Sequence, residues 1–434
     1  MAKATTVPGI RRVKTLGGIT EYTLEKNGLR ILLVPDTSVP VAGCMVTYNV
    51  GSRNEAVGYT GSAHLLEHLV FKGTGKFNTQ MGTSMDKLLE SKGALVNATT
   101  SFDRTNYYEV LASDQLPLAI EIEADRMRTA RFLESDRASE MAVVRNEYEM
   151  YENDPASALD KEVWGAAFMA HPYHHPIIGW KSDIEGVAIE RLKQFYDDFY
   201  WPNNATVTIA GSFVEKEVLF LIEKYFGVHS ASPHTIPSVY TVEPKQEGQR
   251  RVQTQRAGNQ VVTVSHKIPN ALHEDIPALL MLSSVLYEDK TSRLYKAFID
   301  SALATDVGAY CNQLHDQSLF QASVTLAPGT THAKAEQLLL KEYARIASDG
   351  ITAAELASAK RGARVYASRR KDGVYAFLSA LNEEIAMGDW TRFITLHEAL
   401  DAVTRKDVQR VAQKYFVHEQ STVGWSVNAP VKKR

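Results

Sequence analysis

Two cysteines in 434 residues are too few to staple a fold, and Cys44 and Cys311 stand in opposite halves of the chain. Both are expected to be small buried apolar residues. Neither has a second cysteine or a histidine at ligand spacing, so neither is a credible zinc ligand. Long apolar runs are missing too, and no stretch is long enough to span a bilayer. The formal net charge is -3, so there is no basic excess to hold a phosphate backbone, which argues against a nucleic-acid partner. The stretch Met1–Gly18 lacks the apolar core of a signal peptide, which fits either a cytoplasmic protein or numbering that begins at a mature end. What is present is ordinary globular composition, 44% hydrophobic and 23% charged, at a length that favours two or more domains.

One short stretch carries chemistry: His64-Leu65-Leu66-Glu67-His68. On a helix, His64 and His68 are one turn apart and point the same way. Two imidazoles so placed make two legs of a zinc site, and an adjacent carboxylate can take a proton from water at such a metal. The plainer alternative is a buried amphipathic helix that happens to carry two histidines. A chance match of this kind arises in roughly a few per cent of chains this long, so the motif does not decide alone. Leu65, Leu66, Leu69, Val70 and Phe71 make the segment apolar nearly all round, with Ser62 as its expected N-cap. Burial sharpens the question, because unpaired imidazoles and a carboxylate cost several kcal/mol in such a place.

Around this helix the pattern alternates between strands and helices. Residues 1–20 read as a loosely ordered extension. Glu21–Leu24 and Leu29–Val34 read as a hairpin turning at Asn27-Gly28, and Val39–Val50 as a further strand. Thr83–Lys92 and Leu116–Thr129 read as helices, and Gly93–Ser101 and Thr105–Ala112 as strands. Ser135–Tyr151 is a helix whose apolar stripe runs through Met141, Val144, Tyr148 and Tyr151. Glu140 and Glu147 lie on or beside that stripe, and its periodicity leaves open whether they face the core or the solvent. His171-Pro-Tyr-His-His-Pro176 tempts a metal reading. Its prolines exclude a helix and no acidic residue accompanies it, so a hydrogen-bonded or solvated loop is expected.

Residues 229–250, rich in serine, proline and charge, form the expected linker between near-equal halves. The halves look like copies. Glu190–Tyr196 followed by Ala205–Ala210 has its counterpart in Arg405–Val411 followed by Ser421–Val427. Val39–Val50 has its counterpart in Val261–Ile268. The second copy of the motif helix, Ala278–Tyr287, has no H-x-x-E-H, so one half alone can carry the metal. This predicts an internal duplication of one α+β domain.

His64–His68 followed by Phe71-Lys72-Gly73-Thr74 resembles the insulinase/pitrilysin family, the inverzincins. So do Gly51-Ser52-Arg53, Asn97-Ala98-Thr99, Thr105-Asn106-Tyr107-Tyr108, Asn146-Glu147 and Tyr200-Trp201-Pro202-Asn203-Asn204-Ala205, in that order along the chain. The likeness spans residues 20 to 428 or so and is nearest to short bacterial members and mitochondrial processing peptidase subunits. It implies two homologous α/β-sandwich domains forming half of a clamshell, a zinc-bearing domain at 21–228 and a second domain at 251–434. It implies one zinc ion per chain, held by His64, His68 and Glu147, with Glu67 as general base and Glu140 supporting the site from behind. It further implies that an extended peptide lies along an edge strand at Asn97, Ala98 and Thr99.

The chain departs from the resemblance in its second half. Complete members carry an Arg and a Tyr there that contact substrate, in a pattern like Leu-Arg-x-x-x-x-Leu-x-Tyr. Here Ser292-Arg293-Leu294-Tyr295 is present, but the following segment is one residue short. Ile299 falls where the Arg belongs and Thr305 where the Tyr belongs, Arg293 does not replace the Arg, and Tyr310 lies too far along. The expectation is a zinc peptidase active as a heterodimer with a homologous subunit that brings the Arg and Tyr. Against it stand an inactive metal-binding scaffold subunit and a zinc hydrolase of non-peptide substrates. Paired bacterial relatives are often exported, which favours the periplasm over the cytoplasm.

Overall fold

The computed structural model describes residues 7–428. Residues 1–6 of the expected N-terminal extension lie outside the described residues. Among the described residues, twelve strands form two sheets: β1 (Ile10–Leu16), β2 (Ile19–Leu24), β3 (Leu29–Pro35), β4 (Val41–Tyr48), β5 (Leu95–Thr100), β6 (Thr105–Ala112), β7 (Ala205–Gly211), β8 (Arg250–Gln255), β9 (Val261–Ile268), β10 (Ala304–Cys311), β11 (Ser318–Leu326) and β12 (Ser421–Val427). β1 was not expected. Its sequence IRRVKTL leaves three basic side chains exposed and has no apolar alternation to read, and it is held by antiparallel pairing with β2.

The duplication is explicit in the topology. The first sheet runs β1-β2-β3-β7-β4-β6-β5 and the second β10-β11-β9-β12-β8. Read from its other end, the second sheet repeats the order β3-β7-β4-β6-β5. The pairing directions repeat as well: β3 with β7 and β8 with β12 are parallel, and the remaining neighbours are antiparallel. This is a mixed α+β fold built twice, with β1 and β2 added to the first copy.

The chain folds into two compact units interleaved in sequence. The first takes the chain through Arg145, Ile177–Tyr240 and Arg370–Ile394, and the second takes Asn146–Pro176, Thr241–Arg369 and the rest from Thr395. In the first unit, one face of the sheet buries Leu29, Ile31, Cys44, Val46, Val207 and Ile209 against Leu66, Val70, Ile120, Phe199 and Leu219. The other face is covered by the helix Val374–Ala386, with Leu378 against Met45, Tyr108 and Ala210. In the second unit the helix Pro155–Ala167 covers its sheet, with Leu159 and Val163 against Val261 of β9. Each covering helix comes from the opposite half of the sequence. Each is seated on a strand glycine, and a Cβ at Gly43 or Gly424 would lie 2.5 Å from Leu378 or Val163.

Residues 227–249 carry no helix or strand, yet they are anchored. Glu243 accepts the backbone amides of Met169, Ala170 and His171 and pairs with buried Lys267 at 2.9 Å. Burial would raise this carboxyl, but the amides and the ammonium outweigh it and hold it at about 2. The histidine-rich loop therefore has acidic partners, contrary to expectation. Asp316 also lies 3.2 Å from His171 Nε2, and within the loop Pro172–His174 make one short 3-10 turn. Both carboxylates come from far along the chain, where spacing cannot reveal them. Cys44 is buried as expected, while Cys311 is only partly so, at the end of a sheet-edge strand.

Candidate metal centre

The motif helix spans Ser62–Val70 and buries all but His64 and His68, which are partly exposed. Ser62 is not its N-cap. Gly61 takes that place in the left-handed region, and the carboxylate of Glu55 accepts from the amides of Gly61 and Ala63, both at 2.7 Å. An acidic group at the helix start satisfies two orphan amides and suits the helix dipole. Burial keeps the Glu55 carboxyl well above its usual range in spite of those two bonds. Glu55 was not legible in the sequence, because a cap seven residues upstream belongs to a loop of no fixed pattern.

One turn apart on this helix, the rings of His64 and His68 stand 4.9 Å apart and nearly perpendicular. Burial, and then the neighbouring His68, push His64 down to about 3, so it is neutral at physiological pH, the state a metal ligand needs. His68 Nδ1 lies 3.0 Å from Glu140 Oε2, and Lys72 Nζ lies 2.5 Å from Glu140 Oε1. Burial works against the charge on Glu140, but Lys72 and His68 prevail and hold its carboxyl below the ordinary range. A carboxylate on one ring nitrogen fixes the tautomer and directs the other nitrogen to a metal.

Glu140 and Glu147 ride on the helix Glu134–Asn153, two turns apart. Ligand atoms of His64, His68 and Glu147 all lie within 4.8 Å of one another, the group among the described residues arranged to hold a metal ion. Two imidazoles and one carboxylate match the donor set of a catalytic zinc site, which leaves a fourth position for water or substrate. The residues present therefore fit the ion that the motif predicts. Farther along the same helix, burial and then the nearby Glu147 raise the Tyr151 hydroxyl above its usual range. Glu140→Gln is expected to weaken zinc binding by about 10- to 100-fold while the chain stays folded. Competition with a chromogenic chelator measures this, and unchanged affinity would deny Glu140 its supporting role.

Glu67, on the motif helix Ser62–Val70, is buried, and its Oε2 accepts a hydrogen bond from Thr100 Oγ1 at 2.5 Å. Thr100 ends β5, and β5 is the edge of its sheet, paired only with β6. Of the residues expected to bind peptide, Asn97 and Ala98 lie mid-strand. Thr99 is already engaged: its amide donates to Asn106 Oδ1 at 3.0 Å and its carbonyl accepts from Arg104 at 2.9 Å. Thr100 was inside a strand that the sequence marked, but nothing in the pattern aims its hydroxyl at Glu67.

In the second unit, Arg293 gives Nε and Nη2 to the carboxylate of Glu355 at 2.7 and 3.0 Å, and Nη2 to the Gly350 carbonyl. The segment that follows widens into an i→i+5 turn at Tyr295–Ile299, and Ala302 takes a positive φ of 54°. Ile299 packs against the hydrophobic core, and Thr305 is exposed on β10.

Comparison with known proteins gives a consistent result. The profile of Insulinase (Peptidase family M16) matches residues 30–181, and that of the Peptidase M16 inactive domain matches residues 186–363. Zinc protease PqqE of Helicobacter pylori is 32% identical over 413 residues, 92% of this chain and 90% of that protein. The crystal structure of a protease from Helicobacter pylori superimposes with a TM-score of 0.89 at 28% identity, over 97% of this chain and 100% of that one. The periplasmic protease PqqL from Escherichia coli shares the fold, with a TM-score of 0.76 at 18% identity. There the match covers 97% of this chain but 49% of that one.

Proposed function

The chain belongs to the insulinase family of peptidases, M16, and on that footing we propose that it is a zinc-dependent peptidase of extended peptides whose active site is completed by a second, homologous subunit. The observation that carries the reading is the convergence of His64, His68 and Glu147 next to a buried carboxylate, Glu67.

His64, His68 and Glu147 would hold a zinc ion, which would supply Lewis-acid chemistry and bring the pKa of water to about 7. Glu67, as general base, accepts the proton of the attacking water and returns it to the leaving amine. No side chain is modified covalently, so no Ser or Cys nucleophile is required. Glu140 holds His68 in the ligating tautomer. The free edge of β5 takes the peptide backbone as an added strand at Asn97–Thr99. Within that stretch the Thr99 amide and carbonyl already bond Asn106 and Arg104, and the Ala98 amide bonds the Asn97 side chain at 2.9 Å, so an added strand pairs around or displaces these bonds. Backbone pairing tolerates varied side chains, which suits a peptidase of broad substrates.

The need for a partner rests on what the second half lacks. Ile299 and Thr305 stand where relatives with a complete site carry Arg and Tyr, and Arg293 is committed to Glu355. This chain matches about half of a longer protein of the same fold, which is consistent with a two-part enzyme. The periplasmic assignment of that neighbour is extended here to this chain. Co-purified with a homologue bearing the Arg and Tyr, the chain is expected to cleave a quenched fluorescent peptide, to stop when zinc is chelated, and to resume when zinc is restored. Cleavage that survives complete metal removal would overturn the reading.

A further inference from the structure

We propose that Thr100 is the positioning residue for Glu67, so that the strand which registers the peptide also orients the base. The proposal rests on the reading of Glu67 as general base.

A glutamate has three side-chain torsions, and a base works only when its carboxylate is aimed. The Thr100 hydroxyl, 2.5 Å from Oε2, aims it. A short hydrogen bond to one carboxylate oxygen holds the rotation of the group. Thr100 is itself unusually constrained. Its β-branched side chain restricts χ1. Next to it, the Ser101 amide donates to the Arg104 carbonyl at 2.8 Å and closes the turn. That turn is clamped from outside: the amides of Ser52 and Arg53 donate to the carbonyls of Ser101 and Phe102 at 3.1 and 3.0 Å. The clamp needs Gly51, because a Cβ there would lie 2.2 Å from the Ser101 oxygen. On the other side of Thr100, Arg104 holds both the carbonyl and the hydroxyl of Thr99 and is itself anchored by Glu383. The Thr100 hydroxyl is thus fixed to the backbone frame of β5, one residue beyond the positions where the peptide is proposed to pair. Gly51-Ser52-Arg53 acquires a physical task in this arrangement, as the buttress of the strand end that holds the base.

Thr100→Val keeps the shape and removes the hydroxyl, and Thr100→Ser keeps the hydroxyl. In the complex with the partner subunit, Thr100→Val is expected to lower kcat about tenfold or more with KM within about twofold, the loss of one hydrogen bond to a charged group. Zinc content should stay at one per chain by elemental analysis, Thr100→Ser should recover most of kcat, and Thr100→Val should cost nothing further on top of Glu67→Gln. The proposal is overturned if Thr100→Val keeps wild-type kcat, if it acts on KM alone, if it loses zinc, or if Thr100→Ser is no better than Thr100→Val. Glu67→Gln, assayed beside them, separates the two levels. Activity in that variant sinks the assignment of the base, whereas an inactive Glu67→Gln with an unimpaired Thr100→Val removes only the role of Thr100.

Discussion

Glu67→Gln should bind one zinc per chain and lose about 10³-fold or more in kcat/KM. The upper part of the range for general acid–base catalysis applies because one group serves as both base and acid. The substitution is nearly isosteric. Its amide oxygen can still accept from Thr100, and the ligands His64, His68 and Glu147 are untouched. The variant therefore isolates proton transfer from metal binding. Retained zinc with undiminished cleavage would remove Glu67 from the mechanism. Retained zinc with no cleavage in either wild type or variant, under every pairing tried, would favour the inactive scaffold.

The second large effect concerns the partner. Purified alone, the chain should show less than about 1% of the kcat/KM of the two-subunit complex, since removing one oxyanion donor typically costs 10²- to 10³-fold. Steady-state cleavage of one peptide by the chain, its partner and the mixture measures this. Replacing the partner's Arg or Tyr should return the mixture toward the level of the chain alone. A homodimer does not rescue activity, because Ile299 and Thr305 stand in both copies. Full activity from the isolated chain would refute partner dependence while leaving the zinc site intact.

Much of this was legible because the elements concerned obey local rules. The helix Leu116–Thr129 and the strands Val261–Ile268 and Ser421–Val427 lie where apolar periodicity puts them. The duplication was visible as repeated helix–strand pairs, and the two sheets carry the same strand order. The spacing of His64 and His68 is a property of one helix, so it could be read directly. What stayed hidden is long-range. Periodicity alone left the facing of Glu140 open, and the structure turns it toward His68. Glu55, Glu243, Asp316 and Thr100 act on groups brought to them by the fold, and no spacing in the chain encodes those meetings. The helices Pro155–Ala167 and Val374–Ala386 look in sequence like parts of their own halves, yet each covers the other half's sheet, because a helix's apolar face does not say which sheet it covers. β1 escaped notice because a solvent-facing edge strand needs only pairing, not a pattern.

The proposed chemistry requires a metal at one place. An anomalous difference map, recorded at the zinc absorption edge from crystals grown with zinc, tests that most directly. The expected result is a single strong peak within bonding distance of His64, His68 and Glu147, lost in Glu147→Gln. A peak at His171–His175 instead, or none at His64 and His68, would contradict it.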